Sequence, residues 1–176
     1  LGEVAYDPAD DIHYCESRAH LVLGVMKATD VRQDAVFEVL RAVRRRHPEW
    51  PVLIAQTGLH EAYLPGGEHI LPYPYDRQPL PPQVPHDLAR ALRAQRERLG
   101  ALPGSAPVRW VPLDLTLAED GWNPVNYGLE TLWTAIEEIS ALGLQARLRG
   151  DAGVLDAYAR AAHPHIVGHA LIAAGI

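Results

Sequence analysis

Hydrophobic and polar positions along this chain repeat one pattern three times, a short continuous apolar run followed by a longer stretch with helical spacing. Residues 20–28 (HLVLGVMKA) have the length and composition of a buried strand. Residues 33–47 follow with Val36, Val39, Leu40 and Val43 on one helical face, while Arg41, Arg44, Arg45 and Arg46 read as the solvated side. Pro48 stops that helix. The second run, 50–56 (WPVLIAQ), predicts another buried strand. After it comes a long connection, 64–85, rich in Pro, Gly and Tyr, and loops of that length are usually functional or disordered. Residues 86–99 are the next helix, with Leu88, Leu92 and Leu99 inward and Arg90, Arg93 and Arg96 outward. The third run, 108–115 (VRWVPLDL), carries Pro112, which cannot donate to a ladder and so belongs at a sheet edge or strand end. Asn123-Pro124 reads as a cap and first helical position, and the helix it starts is expected to bury Leu129, Leu132, Trp133, Ile136 and Ile139.

Strand and helix in alternation imply parallel pairing through right-handed crossovers, hence an α/β fold with a parallel sheet and flanking helices in three layers. Ligands in such sheets sit at the carboxyl ends of the strands. Those ends are Asp30, the 57–61 segment and the 114–120 segment. Asp30 reads first as a cap for the following helix and only second as a ligand contact. After residue 148 the pattern changes: 151–163 has helical spacing, Pro164 interrupts it, and 165–176 (HIVGHALIAAGI) is nearly free of charge. Its twelve residues are too few to span a bilayer. The division is therefore 1–148 for the α/β body and 151–176 for a helical apolar extension.

Composition narrows the classes. The 176 residues suit one domain with a sizeable core, and 48% hydrophobic with 22% charged residues is ordinary for a globular protein. A net charge of −6 leaves no basic footprint for nucleic acid. Cys15 is the single cysteine, which excludes an intrachain disulfide and reads as a small packing residue in a reducing, cytoplasmic compartment. The chain starts at Leu1, shows no signal peptide and ends within an apolar run, so it reads as a fragment.

The most telling segment is Ala55-Gln56-Thr57-Gly58-Leu59-His60-Glu61 at the end of the second run. With the order of elements, it resembles the base-recognition loop in the last three β/α units of a bacterial Era-like or dynamin-type P-loop GTPase, over roughly residues 1–140. Leu1-Gly2-Glu3 resembles the residues after an Asp-x-x-Gly motif, which makes Gly2 and Glu3 the edge of a switch II segment. The family's Asn/Thr-Lys-x-Asp motif corresponds to Thr57-Gly58-Leu59-His60, with Gly58 in place of the Lys that packs on the base. His60 stands where the Asp accepts two guanine hydrogen bonds, and Glu61 follows one residue later. The family's Ser-Ala-Lys loop falls at Leu113-Asp114-Leu115-Thr116, which departs at every residue. The resemblance implies nucleotide contacts from Thr57, His60, Glu61, Asp114 and Leu115, with GTP or GDP and Mg²⁺ bound by a longer parent.

No Gly-x4-Gly-Lys-Ser/Thr loop occurs in the sequence. Phosphoryl transfer depends on the charge stabilisation such a loop supplies, so this chain alone is not expected to hydrolyse GTP or to bind nucleotide tightly. A rival reading is a non-catalytic, GTPase-derived interaction module that holds partners, or a membrane surface, through residues 151–176. A third is a metal-dependent hydrolase built from His60, Glu61, His69, His86 and Asp76, although their spacing matches no ligand motif. His163, His165 and His169 read as structural or interfacial, since no acidic residue is near them in sequence. The 72–75 stretch reads as a rigid loop packed on its own domain rather than as a docking segment. The run 20–28 would lie beside the parent's missing first strand. An open edge there calls for either that missing half or a second copy.

Overall fold

The apolar runs become strands and the periodic stretches helices, in the order β1 (Val22–Lys27), α1 (Asp34–Arg46), β2 (Val52–Thr57), α2 (His86–Gly100), β3 (Val108–Pro112) and α3 (Leu129–Gly150). The computed structural model describes residues 19–30, 32–64 and 68–150. The strands form one parallel sheet in the order β1-β2-β3, with Val52 in register between Val22 and Val108. Both faces of central β2 are covered, which is why its sequence is an unbroken apolar run.

Two right-handed crossovers in the same direction leave α1 and α2 on one face of the sheet. There Met26, Phe37, Leu40, Val52, Ile54 and Leu99 make one core. Among the described residues no strand follows α3, which packs on the opposite face, with Ile139, Ile136 and Leu132 against Leu53, Ala55, Val111 and Leu113. The arrangement is therefore α/β, a three-stranded parallel sheet with flanking helices. Pro112 sits on the outer strand as its missing N–H requires. Leu113 donates to the Gln56 carbonyl, so the alternation of the ladder turns Pro112 away from β2.

Five expectations change. First, β1 is buried on one face only: Leu23 and Val25 are 48% and 63% exposed, because α3 lies over β2 and β3. Second, Phe37 rather than Val39 faces the core of α1. Third, two arginines read as solvated are buried. Arg44 is 1% exposed, and its guanidinium donates to the carbonyls of Pro103 (2.6 Å), Trp50 (2.6 Å), Ala106 (2.7 Å) and Pro48 (3.2 Å). Arg96 lies beside the Trp110 ring. Fourth, α3 begins at Leu129 instead of Asn123-Pro124. Asp114 pairs with Tyr127 in an antiparallel bridge, and Gly128 follows at φ 81°. That bridge fixes residue 127 in an extended conformation and leaves the helix to start after the glycine. Fifth, Trp133 points outward while Ile139 and its neighbours hold the sheet.

No helix among the described residues is long and apolar enough to cross a membrane. The expected switch II edge at Gly2 and Glu3, Cys15, the His163, His165 and His169 group and the extension 151–176 lie outside the described residues.

Candidate functional site

The carboxyl ends of the strands are pinned from below by amides. The Gln95 amide donates to the carbonyls of Lys27 and Asp30, both at 2.7 Å, and the Gln56 amide donates to Gln95 Oε1 at 2.7 Å. Asp30 does not cap α1; its carboxylate accepts the Arg32 N–H at 2.9 Å in a turn before the helix. Gln33 occupies the capping position, and its amide donates back to the carbonyls of Lys27 and Asp30.

β2 ends at Thr57, and the chain reverses through Gly58 into a single 3-10 turn, Leu59–Ala62. Gly58 has φ 75°, a left-handed conformation that costs a lysine but not a glycine. The turn buries Leu59 and aims His60 across the sheet toward the end of β3.

There Asp114, 2% exposed, is the hub of the site. Its carboxylate accepts the His60 backbone N–H at 2.7 Å and lies 2.8 Å from His60 Nδ1 through either oxygen. His69 Nε2 approaches the same carboxylate at 3.2 Å. An ionised carboxylate only accepts, so His60 carries its proton on Nδ1 and His69 on Nε2. The His60 side chain is 35% exposed, and in the neutral ring Nε2 is the nitrogen that carries the lone pair. His69 is buried, and its Nδ1 has no partner.

Aromatic rings enclose the cluster. Tyr127 stacks on His69 with ring centroids 4.3 Å apart, and Trp122 lies 5.8 Å from His60 and 5.6 Å from His69. The long connection after β2 is the strap that brings His69 in. Tyr63 and Tyr75 share a hydrogen bond at 2.6 Å, Tyr73 donates to the Pro112 carbonyl and Tyr127 donates to the Ile70 carbonyl. Burial raises the phenols of Tyr63, Tyr73, Tyr75 and Tyr127 above their ordinary range. The segment 72–75 is thus packed on its own domain, with Tyr75 buried.

Of the expected site residues, His60 and Asp114 meet directly. Glu61 turns away to Lys27 at 2.7 Å and Thr29 at 3.4 Å, at the mouth of a separate cavity of about 620 Å³ beside Asp87, Arg90 and Ala91. The Thr57 hydroxyl contacts the Met26 carbonyl at 3.4 Å, and Leu115 is exposed. Within the grouping considered for a metal, only His60 and His69 come together. Exposed His86 and Asp76 stand beside Asp87 and Arg77 respectively. Among the described residues no group of three or more His, Cys, Asp or Glu side chains is arranged to hold a metal ion. The ring nitrogens of His60 and His69 that face Asp114 spend their protons on its carboxylate. Trp122 and Tyr127 escaped the sequence reading, since nothing local marks a ring that closes over residues some 60 positions away.

Comparison with protein-family models, with curated proteins and with solved structures finds no match for this chain. What the arrangement can do therefore follows from its chemistry. Asp114 fixes the orientation of the His60 ring through Nδ1, so that in the neutral ring Nε2 is the atom that accepts a hydrogen bond, or a proton, from a group arriving at the carboxyl ends of β2 and β3.

Proposed function

We propose that this chain supplies the base-recognition end of a guanine-nucleotide site in a cytoplasmic protein of the Era-like or dynamin-type GTPase kind. The phosphate-binding loop, the Mg²⁺ site and hydrolysis would belong to residues other than these 176. One observation carries the reading: the His60–Asp114 contact ties the loop after β2 to the loop after β3 at the carboxyl ends of neighbouring parallel strands. In that family the equivalent two loops read the base. The strand order β1-β2-β3, with two helices on one face and the last on the other, agrees with it.

The chemistry of recognition differs from the family pattern. A carboxylate accepts two donors from guanine, N1–H and the 2-amino group, whereas His60 Nε2 offers one lone pair. Asp114 cannot substitute, because three N–H donors already occupy it. On this reading His60 accepts N1–H, and the 2-amino group goes unread. Calorimetric titration of the complete protein with GTP, ITP and ATP in the presence of Mg²⁺ tests this. GTP and ITP should bind within about threefold of each other. ATP, whose N1 is an acceptor facing an acceptor, should be weaker by roughly tenfold or more. No binding by any of the three removes the nucleotide reading.

The rival, a non-catalytic interaction module, draws on the open face of β1 with Leu23 and Val25. β1 is also an outer strand of the described sheet, and either the missing half of such a domain or a second copy would pair with that edge. Absence of nucleotide binding together with concentration-dependent association in sedimentation would favour that module.

A further inference from the structure

Two buried arginines in this fold are treated in opposite ways. Arg44 gives every part of its guanidinium to carbonyl oxygens, four of them between 2.6 and 3.2 Å. Arg96, 9% exposed between α2 and the strap, leaves both Nε and Nη2 buried without a hydrogen-bond partner. These two atoms form the side-on fork with which a guanidinium grips two oxygens of one carboxylate or phosphoryl group. No Asp or Glu among the described residues lies within ion-pair distance of it, and Glu97, the next residue, faces the same cavity without pairing. An isolated buried cation is strongly unfavourable unless an anion or hydrogen-bond acceptor meets it.

The surroundings have the form of a binding site. Arg96 lines a cavity of about 390 Å³ between α2 and residues 78–80, within the size range of small-molecule pockets. The Trp110 ring lies 5.6 Å from the guanidinium, Pro79 and Leu80 add apolar wall, and exposed Arg93 brings a second cation to the rim. The position is half-way along β3, where Trp110 is in register with Ile54. It is therefore apart from the His60–Asp114 cluster at the strand ends.

We infer that this cavity binds a small oxyanion, a phosphoryl or carboxylate group carried on a short flat or apolar body against Trp110, and that the Arg96 side chain turns so that its Nε/Nη2 fork, closed to solvent in this structure, meets two of the oxygens. Arg93 adds long-range attraction at the entrance. Burial lowers the Arg96 pKa, the direction expected of a cation without a counter-charge, and a bound oxyanion would reverse that shift.

The test uses the full chain, titrated calorimetrically with phenyl phosphate and with benzoate, and with chloride at matched ionic strength as the control. The two organic anions separate the phosphoryl from the carboxylate source. Expected is a single-site isotherm for at least one of them and none for chloride. Arg96→Lys keeps the charge and loses the fork, so affinity should fall roughly tenfold or more. Arg96→Met should abolish binding while its anion-free thermal midpoint stays at or above that of the unchanged protein, because it removes an unpaired buried charge. A second readout needs no Arg96 variant. The Trp110 indole N–H resonance, identified with Trp110→Phe, should shift on titration while that of Trp50 stays in place. Absence of binding by both organic anions overturns the inference. So does binding that Arg96→Lys leaves unchanged, or a titration that leaves the Trp110 resonance unmoved.

Discussion

Replacing Asp114 by asparagine separates what this residue does for the fold from what it does for His60. The carboxylate accepts from the His60 backbone N–H, from His60 Nδ1 and from His69 Nε2, at 2.7, 2.8 and 3.2 Å. An asparagine oxygen on the side of Oδ2 keeps the first and the last of these. Its NH2 and its oxygen then both lie 2.8 Å from His60 Nδ1, and only a proton moved to Nε2 lets Nδ1 accept from the NH2 and leaves the oxygen to the other two donors. All three bonds survive but lose their charge assistance, about 1 kcal/mol each. The desolvation cost of a buried carboxylate disappears at the same time and offsets part of that loss. The expected net destabilisation is therefore about 2 kcal/mol. Asp114→Ala strands all three donors and should cost about 4–6 kcal/mol, at 1–3 kcal/mol for each buried group left unpaired.

Urea unfolding followed by circular dichroism reads both numbers. With a slope of about 2 kcal/mol/M, Asp114→Asn lowers the midpoint by about 1 M and Asp114→Ala by about 2–3 M. The decisive measurement is the nitrogen spectrum of the His60 ring, which reports which nitrogen carries the proton. It should show protonated Nδ1 in the unchanged protein and protonated Nε2 in Asp114→Asn. That switch turns the outward atom of His60 from acceptor to donor. On the proposed nucleotide reading, the preference for GTP over ATP then falls or inverts. Two results would refute the reasoning: a His60 proton that stays on Nδ1 in the variant, or an alanine variant no less stable than the asparagine one.

Arg44→Met should destabilise the protein by about 3–5 kcal/mol in urea unfolding, since the carbonyls of Trp50, Pro103 and Ala106 lose their donor inside the fold. This is opposite in sign to the expectation for Arg96→Met, so the pair compares a satisfied buried cation with an unsatisfied one. Gly128→Ala should cost about 2 kcal/mol or more in the same assay. Its φ is 81°, and the added methyl would lie 2.9 Å from the Pro112 carbonyl oxygen and 3.1 Å from Leu113 Cβ. In alkali, Tyr63, Tyr73, Tyr75 and Tyr127 have folded pKa values raised by burial above the unfolded value near 10. The unfolded chain therefore releases these protons first, and the stability they contribute is complete below about pH 10 and drains away above it. Phenolate absorbance should rise together with loss of circular dichroism in one cooperative step; phenolate formation while the fold persists would contradict the burial of the strap.

The strands and helices were legible in the sequence because each depends on neighbours within a few residues. A continuous apolar run specified β2, a run broken only by Arg109 specified β3, and the spacing of Leu88, Leu92 and Leu99 specified the inner face of α2. The same spacing also places Gln95 and Arg96 on that face, and places Arg44 on the inner stripe with Phe37 and Leu40. A reading that sorts side chains by polarity sends such residues to solvent. Their partners explain why this fails: the Arg44 acceptors Pro103 and Ala106 lie 59 and 62 residues along the chain. The Asn123-Pro124 signal failed for a related reason. It is a local start signal, and the non-local Asp114–Tyr127 bridge overrode it. The candidate site depends on non-local contacts throughout, with His60 and His69 reaching Asp114 across 54 and 45 residues. What the sequence did offer was the positions of Thr57–Glu61 and Asp114 at the ends of adjacent strands. Parallel topology alone brings such ends together, but only the folded strap decides which side chains meet there. It turns Glu61 aside to Lys27 and brings His69 in, so the polar residues that interrupt an apolar stripe, more than the motif itself, mark where this chain keeps its chemistry.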